Sequence, residues 1–147
     1  MAEFVESGAG VGPQTVAVSS PVVLTTSIAC NKGYVIHREG SGILTLRGSV
    51  SNRCQRFARY LVEYHGNIAI PEGGTPGEIS LAMAIAGEPI DATRARVTPT
   101  VAEAYFSVSS ARYVTVPVGC CYNLAIENTS DQPILVDNLN VIATRVA

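Results

Sequence analysis

Residues 79–86 alternate between large and small uncharged side chains. The large ones are Ile79, Leu81, Met83 and Ile85, and the small ones are Ser80, Ala82, Ala84 and Ala86. A period of two places successive side chains on opposite faces of a β-strand. We therefore expect a strand covered on both sides. Its large face would fill a core, and its small face would let another layer, such as a neighbouring subunit, approach closely.

Residues 57–70 predict a second, longer strand, because Tyr, Val and Ile dominate the segment. One face would carry Tyr60, Val62 and Tyr64, and the other Arg59, Leu61, Glu63 and His65. Gly66 and Asn67 interrupt this pattern and predict a bulge or bend. Residues 54–63 also permit a helical interpretation, since some of their apolar residues have helical spacing, but the composition favours the strand.

Along the whole chain, about eight to ten short apolar segments are separated by turn signals rich in Gly, Pro and Asn. This pattern predicts an all-β sandwich or barrel. The segment 101–108 stays open between a helical turn and a strand. The segment 134–146 stays open between one long strand and two strands broken near Asp137 and Asn138. The Gly-rich residues 1–13 predict a flexible N-terminal arm or peripheral strand, ahead of a single domain over residues 14–147.

The composition is apolar, with 47% hydrophobic and only 15% charged residues among 147. A membrane protein, a β-domain rich in small residues and a surface partly buried in an oligomer would each explain this. No apolar run approaches the ~20 residues of a membrane-spanning helix. The low charge favours the oligomer, because interface cores are depleted of charged residues.

The charge and the N-terminal sequence limit which partners and which compartment of synthesis we expect. The net charge is −2, Lys32 is the only lysine, and the arginines are scattered along the sequence. Because phosphate binding needs clustered cations, we expect no direct contact with nucleic acid. The first residues carry neither a basic nor an apolar segment, so we expect no secretory signal peptide and synthesis in a cytoplasm.

Candidate catalytic chemistry is sparse. Glu63 and His65 would share a strand face, as a general acid–base pair requires, but a solvent-exposed pair of this kind is commoner. The serines lack the G-x-S-x-G context of a nucleophile. Glu127, Asp131 and Asp137 flank a turn and offer oxygens to calcium, yet they lack EF-hand spacing. We expect no catalytic residue, no metal site and no cofactor, and therefore no enzyme.

The remaining candidate functional sites are the cysteines and one glycosylation motif. The four cysteines are Cys30, Cys54, Cys120 and Cys121. They contain no C-x-x-C pair, so they predict free buried thiols rather than a zinc site. Cys54 lies between Arg53 and Arg56, which would lower its pKa, but a structural thiol is the favoured interpretation. Asn128 opens an Asn-x-Ser sequence that we expect to be unused.

The order of several segments resembles the C1q/TNF-like jelly roll, in particular its bacterial and phage branch. Tyr60, Val62 and Tyr64 stand at the Tyr and Val positions of the Gly-x-Tyr-x-Val-x-Tyr pattern of one family strand. The other matching segments are residues 79–85, 87–90, 114–119, 123–128 and 139–146. The sequence departs from the family at Gly119-Cys120, where Gly-Asp is common. The resemblance implies a jelly-roll β-sandwich that forms a homotrimer with aromatic and aliphatic residues around the threefold axis.

These observations together predict a non-enzymatic virion structural protein, a trimeric capsid decoration (cement) or head-fibre protein on the outer surface of a phage capsid. Its partners would be itself and the major capsid protein or another virion component, without membrane or nucleic acid. A receptor- or carbohydrate-binding tip module is the alternative. A cupin-like enzyme would need a histidine cluster that two distant histidines do not supply. Predicted trimer contacts are Tyr60, Tyr64, Ala82 and Ala84; predicted partner contacts are Phe4, Val5, Arg53, Arg56 and Arg59.

Overall fold

The computed structural model describes residues 3–8, 12–30, 34–49 and 56–147, which form two facing antiparallel sheets. The strands are β1 (Glu3–Gly8), β2 (Gln14–Val16), β3 (Thr26–Cys30), β4 (Val35–His37), β5 (Leu44–Arg47), β6 (Phe57–Ala69), β7 (Ile79–Ile85), β8 (Glu88–Pro89), β9 (Ala95–Val97), β10 (Phe106–Pro117), β11 (Cys121–Asn128) and β12 (Ile134–Arg145). A short 3-10 helix spans Asp91–Thr93. None of the described helices is long and apolar enough to cross a membrane.

Each sheet is formed by strands that are far apart in the sequence. The first has the order β10-β6-β12-β1-β3, and β2 also pairs with β12. The second has the order β4-β5-β11-β7-β8, and β9 also pairs with β7. This arrangement confirms the predicted all-β jelly-roll sandwich. The open segments 54–63 and 101–108 enter strands, at Phe57 and Phe106 respectively.

The core lies between the sheets and contains the faces that the alternation predicted. Tyr60, Val62 and Tyr64 of β6 point inward and are buried. From the second sheet, Leu81 and Met83 meet them in the same cluster. The prediction that the large face of residues 79–85 fills the core is therefore confirmed.

The position of the two tyrosines corrects one prediction. Tyr60 and Tyr64 are buried within the single chain, so their side chains have no surface to offer a threefold contact. Each hydroxyl reaches the facing sheet: that of Tyr60 bonds to the Arg47 carbonyl of β5, and that of Tyr64 lies 3.1 Å from the Leu81 carbonyl of β7. Buried tyrosines usually find such a partner, which makes both residues bridges between the sheets.

The small face of β7 corrects a second prediction. Ala82 and Ala84 are fully buried in the single chain, although they point away from the core cluster. β7 has strand neighbours on both edges, and Glu127 lies directly beside Ala82 in the register. Almost no area of these two methyl groups is therefore accessible for a trimer contact.

The predicted N-terminal arm contains a paired strand. Glu3–Gly8 lies between β12 and β3, with Phe4 opposite Thr144 on one side and Cys30 on the other. Over these residues the segment differs from a flexible arm, because its backbone groups find ladder partners at both edges. The side chains of Phe4 and Val5 lie outside the described part of the chain, so their predicted partner contacts stay predictions.

Candidate functional site on the outer face of the first sheet

The candidate site is the solvent-facing side of the first sheet where β10, β6 and β12 lie side by side, here called the outer face. The β6 side chains on it belong to Phe57, Arg59, Leu61, Glu63, His65 and Asn67. Cross-strand pairing sets the rows: Tyr113 of β10 lies opposite Leu61, and Thr144 of β12 lies on its other side. Along the strands the face changes from apolar to polar, so its two ends differ in what they can bind.

The apolar end comprises Phe57, Arg59, Leu61, Tyr113, Thr115 and Val146. Tyr113 of the edge strand β10 is 61% exposed and Phe57 at the start of β6 is 37% exposed, so two large aromatic side chains face solvent at this end. The Arg59 guanidinium lies 5.1 Å from the centre of the Phe57 ring, and its Nε donates to Thr115 Oγ1 at 3.5 Å. These contacts hold the guanidinium in place over an open cavity of about 460 Å³ that Arg59, Tyr113, Thr115, Val146 and Ala147 line.

The polar end comprises His65, Asn67, Ser107, Ser109 and Asn138. A cavity of about 450 Å³ opens there, lined by these five residues together with Gly66 and Val108. Ser107 Oγ donates to Asn67 Oδ1 at 2.9 Å. The lining is therefore almost entirely neutral and polar.

The predicted irregularity at Gly66 and Asn67 lies in the partner strand. β6 continues without a break, whereas the β6–β12 register shifts between Asp137 and Asn140. A Cβ on Gly66 would lie 2.9 Å from Leu139 Cδ1, so only glycine leaves room for Leu139 to pack there. The segment 134–146 is thus one strand with a bulge.

The predicted partner-contact residues are only partly gathered on this face. Arg59 lies on the apolar end, and Arg56 is exposed just before β6. Phe4 and Val5 belong to β1, which β12 separates from β6. Arg53 lies outside the described residues. The structure adds Tyr113, which the sequence prediction had not named as a contact.

The two histidines lie on different sheets. His37 in β4 places Nε2 at 2.9 Å from the Ser41 carbonyl, and His65 is exposed on β6. Glu63 and His65 share the outer face, but no hydrogen bond joins their side chains among the described residues. In the same part of the chain no group of three His, Cys, Asp or Glu residues could hold a metal ion. The structure therefore does not join Glu63 and His65 into an acid–base pair.

Two further predictions concern residues away from this face. Cys120 and Cys121 are exposed free thiols, which corrects the expectation that they are buried; the turn before β11 carries them to the surface. The side chains of Cys30 and Cys54 lie outside the described part of the chain. Asn128 is fully buried and its amide is hydrogen-bonded, so a glycosylating enzyme could not reach it in the folded chain.

Among the described residues, three ionisable groups have shifted pKa values, and burial is the main cause of each shift. Burial raises the pKa of Tyr64 to about 12. Burial, then the charges of Asp137 and Glu103, raises the pKa of Tyr105 at the polar end. Burial, then the charge of Glu88, raises the pKa of Glu127 on the second sheet. These groups do not form one cluster, so the shifts do not indicate a catalytic centre.

Comparison with known proteins identifies similar folds but no sequence relative. No protein-family model matches the sequence, and no curated protein is similar to it. The globular domain of zebrafish complement 1qA has a TM-score of 0.60 at 14% identity, over 99% of this chain and 94% of that domain. An Eiger TNF from S. frugiperda gives 0.64 at 13% identity, over 100% and 92%. Murine APRIL gives 0.63 at 10% identity, over 99% and 100%.

These similarities extend over almost the whole of each chain, but the identities are low, so they show the fold alone. The fold is a jelly-roll β-sandwich similar to those of the C1q and TNF structures. It is compatible with a structural or binding role.

Proposed function

We propose that this chain is a non-enzymatic virion structural protein that forms a homotrimer through the apolar end of the outer face. The observation that carries the proposal is the exposed position of Tyr113, directly opposite Leu61 in the β6–β10 register. A large aromatic side chain in such a row is stabilised when a second surface covers it.

The chemistry of the apolar end supports self-association. Phe57, Leu61 and Tyr113 provide apolar area, and the aromatic ring and Thr115 hold Arg59 in place. Aromatic residues and arginine are enriched in protein interfaces, whereas lysine, glutamate and aspartate are depleted. Closed rotational symmetry would let every copy cover the same patch, which agrees with a chain of only 15% charged residues.

The setting that we propose is the outer surface of a phage capsid, where the trimer serves as a decoration (cement) or head-fibre protein. The resemblance to the phage branch of the jelly-roll family supports this setting. The partner would be the major capsid protein or another virion component, and Arg56 is the exposed cation best placed beside the trimer contact to meet an acidic patch. The protein would therefore be located in the virion.

The assembly test is a mass measurement by light scattering on the purified chain. We expect three times the mass of one chain for the natural protein. Replacing Tyr113 by glutamate should give monomers and weaken association by at least about 100-fold, because it removes the aromatic area and places a hydrated carboxylate in the interface core, at a cost of several kcal/mol. Ile43, which is 45% exposed on the second sheet, supplies the matched control. Ile43→Glu should stay trimeric, and a natural chain that is monomeric would refute the assembly.

The decoration test is co-sedimentation of the assembled protein with virus particles made without it. We expect saturable binding that Arg56→Glu weakens while the mass of the assembly stays unchanged. A stable trimer that binds no particle would refute the capsid role and leave self-association standing.

A further inference from the structure

The cavity at the polar end is lined by residues that do not belong to the proposed trimer contact. Its volume of about 450 Å³ lies within the range of small-molecule sites. We propose that this cavity is a binding site for a neutral, hydroxyl-rich ligand, namely an uncharged oligosaccharide held by Asn67, Asn138, His65 and the hydroxyls of Ser107 and Ser109.

The backbone of β12 is irregular beside this cavity. The register passes from Asp137 opposite Asn67 to Asn140 opposite His65, so β12 contains one extra residue. Asn138 occupies the left-handed region with φ 54°, which asparagine adopts more readily than most L-residues. Leu139 turns into the core, and Asn138 remains exposed on the cavity wall. Bulges of this kind redirect side chains and are frequent beside functional sites.

The lining matches the hydrogen-bonding groups of a sugar. A sugar hydroxyl both donates and accepts, and carboxamides, imidazole and hydroxyls together offer both functions. Ser107 Oγ holds Asn67 Oδ1, which fixes the amide plane. Within the described part of the chain, both N–H groups of the Asn67 amide are without a protein partner. They therefore stay available to ligand oxygens.

The charges around the cavity distinguish a neutral ligand from a charged one. Among the described residues, no Arg, Lys, Asp or Glu lines the cavity, so it holds no permanent cation to neutralise a carboxylate, sulfate or phosphate. Tyr105, which is 41% exposed, lies just before β10 at this end, near the negative charge of Asp137 in β12.

The cavity is independent of the proposed trimer contact. Arg59 and Asn67 are eight residues apart in one strand, which separates them by about 26 Å at 3.3 Å per residue. A subunit covering Tyr113 can therefore leave the polar end open. Failure of the trimer would leave this site intact, and failure of sugar binding would leave the trimer intact.

The test uses the natural full chain and a panel of neutral gluco-, galacto-, manno- and N-acetylglucosamine oligosaccharides, followed by amide NMR. We expect at least one oligosaccharide to bind and to shift the side-chain amide signals of Asn67 and Asn138. Asn138→Gly keeps the left-handed backbone and removes the side chain, so this variant should fold normally. Its dissociation constant should rise about tenfold, as expected for lost hydrogen bonds. Asn67→Ala should do the same.

Asn123→Ala provides the control, because Asn123 is exposed on β11 of the other sheet. Its affinity should equal that of the natural chain. No binding to any oligosaccharide of the panel at millimolar concentration would overturn the proposal. It would also be overturned if Asn67→Ala and Asn138→Gly bound as tightly as the natural chain, or if only sulfated or sialylated glycans bound.

Discussion

Replacing Gly48 by alanine is expected to lower the free energy of unfolding by about 3 kcal/mol or more, one of the largest single effects in the chain. A Cβ on Gly48 would lie 1.9 Å from the Pro117 carbonyl oxygen and 3.1 Å from that of Cys120. Both obstacles are backbone atoms of the turn between β10 and β11. The Gly48 N–H also donates to the Cys120 carbonyl at 2.8 Å, so the turn cannot move away without breaking that bond.

Gly77→Ala is the matched control for this substitution. Nothing lies within 4 Å of a Cβ built on Gly77, and its φ lies outside the left-handed region. Its free energy of unfolding should change by no more than about 0.5 kcal/mol. Denaturant unfolding of the two variants measures the difference, and equal stabilities would show that the β10–β11 turn does not pack on Gly48 as described.

The strand faces of β6 and β7 were predictable because alternation is a local property. Val62 and Leu81 could be assigned to buried faces from their neighbours in the chain alone. The role of the small face of β7 was not predictable in this way. Whether Ala82 meets a subunit or lies under the side chains of its own sheet depends on β11, which is distant in sequence.

The error at Tyr60 and Tyr64 has a clear physical origin. Large aromatic residues suit both an interface and a core, so their type does not decide between the two. The opposite face of the same strand holds Arg59, Glu63 and His65, which are expensive to bury. That charge asymmetry was present in the sequence and identifies the tyrosine side as the interior.

The candidate site depends on strand pairing, which local patterns do not contain. Tyr113 and Leu61 become neighbours only through the β6–β10 register, across a separation of more than fifty residues. The polar cavity needs in addition the one-residue bulge at Asn138 in β12. The sequence did predict irregularity near Gly66 and near Asp137, but not that the two places lie opposite each other.

The same limit applies to the N-terminus. Glycine-rich residues have low intrinsic strand preference, and this favoured an arm over residues 1–13. The pairing of Glu3–Gly8 comes instead from two open edges, those of β12 and β3. Backbone hydrogen bonds at both edges can order a segment that its own side chains would not.

Asn128 is a buried polar residue whose side-chain hydrogen bonds hold the end of β11 in place. Its amide donates to the carbonyls of Val16 at 3.0 Å and Gln132 at 2.9 Å, and its Oδ1 accepts from the Ser130 N–H at 2.8 Å. The side chain thereby ties β2 and the loop before β12 to the second sheet. All of these groups would lose their partner in the dry interior if the amide were absent.

The matched substitutions are therefore Asn128→Asp and Asn123→Asp, which make the same chemical change on one strand. Asn123 is exposed, and it accepts from Thr45 Oγ1 through an oxygen that aspartate keeps. Asn123→Asp should alter the free energy of unfolding by no more than about 0.5 kcal/mol. A loss as large as that of Asn128→Asp would contradict the special role of Asn128.

Asn128→Asp should lower the free energy of unfolding at pH 7 by about 3–5 kcal/mol, because it places an unpaired carboxylate against carbonyl oxygens. Burial and these oxygens disfavour the charged form, so the pKa of the new carboxyl is higher in the folded than in the unfolded chain. A group of this kind destabilises most above its folded-state pKa, and the penalty shrinks as the pH falls through that value. Denaturant unfolding at pH 7 and pH 4 should therefore give a smaller difference from the natural chain in acid. A difference that is independent of pH would mean that the aspartate carboxyl reaches water and that the β11 end opens.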